Sequence, residues 1–209
     1  MVSEYLTVFG ETENTTVIER SKFICYIKGV DDEEDAKNFI DKIKKQNSLA
    51  THNCYAYIAD ELGLKQKFSD DGEPQGTAGM PMLDVLKNKK IYKTCVVVTR
   101  YFGGIKLGAG GLVGAYTESA VLGLESAKIS TKTKCVQIAV SIDYTLYSSI
   151  EKLIWRNNWI LEDTDFSSGV IVKFWVKEDE VDGALALIKE TTLGRAFCSI
   201  GDDAKFIKA

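Results

Sequence analysis

One stretch limits the fold more than any other: Val96 to Tyr116, VVVTRYFGGIKLGAGGLVGAY. It opens on an apolar, β-branched run, Val96, Val97, Val98 and Thr99, which suits a buried strand. Arg100, Tyr101 and Phe102 stand at the strand's end. Gly103, Gly104, Lys106, Gly108, Gly110 and Gly111 follow, and from Leu112 the pattern can be helical. Strand, glycine-rich loop and helix start together aim several backbone N–H groups at one point. The helix dipole adds positive potential there, so the arrangement favours an anion. The same glycines would equally serve a tight turn with positive φ. The spacing is not GxGxxG, no acidic residue ends a following strand about 20 residues on, and GxxxxGK[ST] is absent. A dinucleotide fingerprint is not expected, and a P-loop is excluded.

The 209 residues allow one large domain or two small ones, and 45% apolar residues with 27% charged ones suit a globular chain. The net charge is −4, and neither half is basic: 16 basic against 18 acidic residues through Thr131, 10 against 12 after it. Broad duplex binding through a charged face is therefore disfavoured, and no DNA partner is expected. Cys25, Cys54, Cys95, Cys135 and Cys198 lie far apart in apolar runs without a CxxC pair, and there is one histidine, so reduced core thiols are expected rather than zinc. No secretory signal pattern opens the chain, and no apolar run nears the roughly 20 residues of a membrane span. A cytoplasmic location without membrane association is the expectation.

Along the chain, Val17–Lys28 alternates as a strand pair. Asp31 and Asp32 cap a helix that buries Ala36, Phe39, Ile40 and Ile43. His52–Ala59 reads as a strand, Glu61–Gly79 as a long polar loop, Met80–Lys89 as a short helix, and Leu112 to about Lys128 as a helix with a small-residue face. Ile129–Lys134 is polar and reads as a linker. Beyond it strands at Val136–Ile142, Trp159–Phe166, Val170–Val176 and Ala196–Ile200, with a hairpin turn at Ser167–Gly169 and helical faces at Leu146–Ile154 and Val181–Ile188, spell β-α-β-β-α-β, the ferredoxin-like split. The expected class is α+β, with domains over 1–130 and 134–209.

Any imidazole chemistry must use His52, the only histidine. Asp70, Asp71 and Glu73, in FSDDGEPQGTAG, suit general acid–base work or a hard cation, with Mg²⁺ the candidate ion and no other cofactor expected. The same carboxylates would also fit a capped turn. No cysteine or serine stands in a nucleophile's setting. Arg100 and Lys106 suit recognition of phosphate, and Tyr101 and Phe102 suit either stacking on a base or core packing.

Together, ATHNCYAY, DDGEPQGTAGMPML and VVVTRYFGGIKLGAGGLVGAY resemble the IMPACT/YigZ family, over about Tyr5 to Ile129. The resemblance implies a ribosomal protein S5 domain 2-like fold on a four-stranded sheet. The tail is similar to the ferredoxin-like fifth domain of elongation factor G, as in bacterial members. That pairing implies contact with the ribosome, rRNA or tRNA. Eukaryotic relatives regulate translation through an added N-terminal domain for which this chain has no counterpart, so that kinase-pathway role is not expected here. The family's glycine block has arginine before Ala-Tyr; Gly114 stands there instead. The leading expectation is a translation-associated protein that meets RNA or the ribosome through Arg100, Tyr101, Gly103, Gly104, Lys106, Gly108, Gly110 and Gly111. The rivals are a hydrolase or phosphotransferase using His52, Asp70, Asp71 and Glu73, and a protein-interaction module.

Overall fold

The computed structural model describes residues 2–167 and 169–208, so the expected turn at Ser167–Gly169 lies partly outside the described residues. The chain divides into two compact units at Thr131/Lys132. The first holds β1 (Glu4–Val8), β2 (Glu11–Ile18), β3 (Ser21–Gly29), α1 (Glu33–Gln46), β4 (His52–Ile58), β5 (Gln66–Ser69), α2 (Gly79–Asn88), β6 (Thr94–Tyr101) and α3 (Gly108–Ser126).

Its sheet runs β2–β3–β6–β4–β5 with every pair antiparallel. The central strand, β6, is buried at every position but its last, because both faces are covered. Val96 and Val98 face α2 and α3, packing with Phe23, Cys54, Met82, Leu112 and Tyr116. Cys95 and Val97 face α1, packing with Phe39, Ile40 and Ile43. Asp32 caps α1 by accepting the Asp35 N–H at 2.8 Å, acidic residues fill its first turn, and Lys44 and Lys45 its last. Helix α3 comes close to the sheet at Gly123, where a Cβ would stand 2.5 Å from Cys25 Sγ.

Three readings change. The sheet has five strands rather than four, because Gln66–Ser69, inside the expected loop, pairs with β4; its exposed first half carries no apolar alternation to betray it. Helix α3 starts at Gly108 rather than Leu112, so glycines taken for loop form a first helical turn. Ile129–Lys134 is no linker but the opening of β7 (Ile129–Ile142).

The second unit continues with α4 (Tyr147–Arg156), β8 (Ile160–Asp165), β9 (Val170–Lys177), α5 (Val181–Thr191) and β10 (Phe197–Lys208). Its strands pair antiparallel in the order β10–β7–β9–β8, the ferredoxin-like arrangement. Ile138, Val140, Val172 and Phe174 bury against Ile150 and Ile154 of α4 and Ile188 of α5. Trp159 stacks on Phe174 with ring centroids 5.2 Å apart. The five thiols are free, four of them buried. Among the described residues, no helix is long and apolar enough to cross a membrane.

Candidate functional site

The DDGE sequence is a tight turn. The Glu73 N–H donates to the Asp70 carbonyl at 2.9 Å, with φ of 46° at Asp71 and 92° at Gly72. Asp-Gly is the pair that tolerates positive φ at both central positions. The turn sends its three carboxylates three ways. Asp70 accepts the N–H groups of Gly76, Ala78 and Gly79 at 2.9, 3.0 and 2.8 Å, and so caps α2. Asp71 pairs with Lys44 at 2.8 Å and accepts the Asn53 N–H at 2.7 Å. Glu73 turns inward. The expected Mg²⁺ set therefore does not converge, and among the described residues no group of three acidic, histidine or cysteine side chains is placed to hold a metal.

Register brings the rest together. Phe23, Arg100 and His52 lie opposite one another across β3, β6 and β4, so they form one row on the α2/α3 face. Glu73 reaches this row: Oε1 accepts from Arg100 Nη1 at 2.7 Å and from the Tyr116 hydroxyl at 2.8 Å. The Arg100 and Glu73 side chains are only 6% and 4% exposed. His52 Nδ1 lies 2.8 Å from the Asp71 carbonyl oxygen. A carbonyl only accepts, so Nδ1 carries the hydrogen and Nε2 of the neutral ring keeps its lone pair. Nε2 stands 3.9 Å from Glu73 Oε2, which accepts no hydrogen bond among the described residues.

The expectation for Arg100 is corrected. Its Nη1 and Nη2 are committed to Glu73 and to Ser21 Oγ at 3.3 Å, its Nε is buried without a hydrogen-bond partner among the described residues, and the group lies over the rings of Phe23 and Phe102; it orients a carboxylate instead of waiting for a phosphate. Tyr101 is corrected too. Next along the strand, it points to the other face and donates to Asn47 Oδ1 at 3.0 Å. The Gly103 N–H is spent on Ser21 Oγ at 3.2 Å, and a Cβ there would fall 2.0 Å from the Arg20 backbone. Arg20 and Glu19, with φ of 65° and 46°, form the two-residue turn between β2 and β3.

The remaining glycines behave differently. Gly104 is exposed with φ of 87°. Gly108 opens α3, and Gly110 and Gly111 lie in its first turn. Leu107 at the cap position offers no side-chain hydrogen bond. Lys106 is exposed and makes no ion pair among the described residues. Gly114 is exposed with nothing within 4 Å of a would-be Cβ. It lies about 200° around the helix from Leu112, so the family's arginine would not face the same side.

A cavity of about 310 Å³ joins these parts, with His52, Glu73, Arg100 and Pro74 on one side and Phe102, Lys106 and the α3 start (Gly108, Ala109, Leu112) on the other. The three sequence blocks thus share one concave surface. His52, Glu73, Arg100, Lys106 and Gly108 line it; Asp70, Asp71, Tyr101, Gly103, Gly104, Gly110 and Gly111 do not. Two contributors, Tyr116 and Ser21, were not among the expected site residues, although Tyr116 closes the glycine block. Spacing did offer a hint for Tyr116, four residues beyond cavity-lining Leu112 and so on the same helix face. Its hydroxyl joins Glu73 to the Cys54 thiol, 3.3 Å away. Burial pushes that thiol up to about 12, which leaves it protonated and unreactive. Burial, with Cys54 and Glu73 adding to it, likewise raises Tyr116 above the usual phenol range.

Comparison with known proteins places this architecture. Residues 19–124 match the Impact N-terminal domain, and residues 140–195 match a domain of unknown function, DUF1949. The chain is 43% identical over 202 residues to the IMPACT family member YvyE of Bacillus subtilis (strain 168), covering 97% of this chain and 93% of that protein. It is 34% identical over 158 residues to the IMPACT family member YigZ of Escherichia coli (strain K12), covering 75% and 78%. A solved structure described as a crystal structure of a hypothetical protein superposes with a TM-score of 0.64 at 28% identity, over 97% of this chain and all of that one. Just over half of the chain matches the family's defining domain, and the Bacillus subtilis relative aligns nearly end to end: this chain belongs to the IMPACT family.

Proposed function

We propose that this chain is a translation-associated, cytoplasmic RNA-binding protein, and that the cavity rim receives a backbone phosphate of single-stranded or looped RNA. The observation that carries this reading is the start of α3: a helix N-terminus without a side-chain cap, beside Lys106, which makes no ion pair among the described residues, at the mouth of a cavity. Open amides and one free cation suit an anionic oxygen. Phe102, 46% exposed at the same mouth, suits a base. A chain of net charge −4 would gain little from nonspecific duplex contact, so a local site on unpaired RNA fits better. Family membership supports a role in translation regulation.

The test is the affinity of wild type and Lys106→Ala for single-stranded RNA across a salt series. Losing one charged contact should weaken binding about fivefold, roughly 1 kcal/mol, and flatten the salt slope by about 0.7. Equal affinity for both proteins, or none for either, contradicts the reading.

One observation favours a second reading. His52 Nε2 keeps a lone pair at the cavity, with Glu73 Oε2 3.9 Å away to stabilise an imidazolium. That is a general base without a metal, suited to a hydrolase or phosphotransferase. Turnover of a phosphoester that survives chelator and disappears in His52→Asn would support it.

A further inference from the structure

We propose that the cavity reads guanine: a guanosine nucleotide, free or within RNA, enters with its base against Glu73, His52 and Phe102 and its phosphate at the start of α3. The inference rests on the phosphate-binding reading of the rim.

The polar wall of the cavity presents two neighbouring acceptors. Glu73 Oε1 is saturated by Arg100 and Tyr116, which fix the carboxylate's orientation. Oε2 accepts no hydrogen bond among the described residues, although the side chain is 4% exposed. Beside it, 3.9 Å away, His52 Nε2 of the neutral ring is also an acceptor, because Nδ1 donates to Asp71. Both atoms are open to the cavity, His52 being 20% exposed, so water meets these two neighbouring acceptors until a ligand supplies hydrogens in its place. Their complement is an adjacent pair of N–H donors.

Among the nucleobases, only guanine presents a ring N–H next to an exocyclic NH₂. Adenine and cytosine set an acceptor beside their amino group, and uracil flanks its N–H with carbonyls. A guanidinium has similar donors, but Lys106 and the positive end of α3 at the rim would repel it and attract a phosphate. The cavity, at about 310 Å³, lies at the small end of ligand pockets and suits a single nucleotide. Phe102 supplies an aromatic wall for the base.

The experiment uses calorimetry on the full chain, since the three tryptophans, Trp155, Trp159 and Trp175, all belong to the second unit and the unit that holds the site has none. The probes are 5′-GMP, 5′-IMP and 5′-AMP, with oligouridylate carrying or lacking one guanosine. Inosine differs from guanosine only by the missing amino group, so the discrimination is read on wild type and needs no variant that disturbs Glu73. GMP should bind at least about tenfold tighter than IMP or AMP, or the guanosine-bearing oligonucleotide by a similar factor over oligouridylate. Preference among mononucleotides identifies the free nucleotide as sufficient; preference only in the oligonucleotide identifies an RNA residue. Lys106→Ala should weaken GMP and AMP alike and leave the GMP-to-IMP ratio unchanged. No guanine preference in either arm overturns the inference. RNA binding without that preference leaves the phosphate reading standing, whereas GMP preference without RNA binding removes RNA as the partner.

Discussion

Glu73 shows how one residue can organise a site. Its carboxylate is held by a guanidinium, a phenol and, at longer range, an imidazole, each from a different element. Removing one partner strands a buried charge. Arg100→Ala should therefore destabilise the fold by about 3–5 kcal/mol in urea denaturation, whereas Lys106→Ala should stay within about 0.5 kcal/mol. Equal effects would mean that Arg100 is not the structural cation described above. At this scale the sequence was half legible. His52 and Glu73 announced themselves by side-chain chemistry. The capping by Asp70, of amides close along the chain, was one of the readings its turn allowed; the commitments of Arg100 and Asp71 were not legible, because Ser21, Lys44 and Asn53 come from distant parts of the chain.

The elements that shape the site do so by backbone geometry. Asp70 binds three amides at the start of α2, so Asp70→Ala should cost about 2 kcal/mol, the upper end for a helix cap, with α2 amide exchange rising most. Gly103→Ala would drive a methyl into the backbone of the β2–β3 turn, 2.0 Å away, and should lower Tm markedly; Gly114→Ala, in open space, should leave it level or raise it. Strand β4 adds a pH dependence. Burial raises Cys54 from 9.0 to about 12, and burial together with Glu33 raises Tyr57 from 10.0 to about 12. Groups raised in the fold stabilise it fully below their unfolded values, so stability should hold to about pH 9 and fall progressively towards pH 12. A denaturation midpoint constant across that window would contradict it. Strong periodicity made α1, β4, β6 and the second unit's elements legible. Strand β5 and the opening of β7 escaped because their polar residues do not alternate with apolar ones, and α3's first turn escaped because glycine signals a loop.

For the whole molecule, the α+β class and the β-α-β-β-α-β tail follow from the order of periodic segments, while the cavity follows from register, which no single segment encodes. The acidic balance and the small cavity suit the proposed local contact with a ligand better than binding through a charged face. The central claim, that the three sequence blocks form one anion-receiving mouth, is tested most directly by amide chemical-shift mapping of the full chain during titration with single-stranded RNA. The largest shifts should fall at His52, Glu73, Phe102 and Lys106–Leu112, and in Lys106→Ala they should need about fivefold more RNA to develop. Shifts confined to the second unit, or spread evenly over the surface, would contradict it.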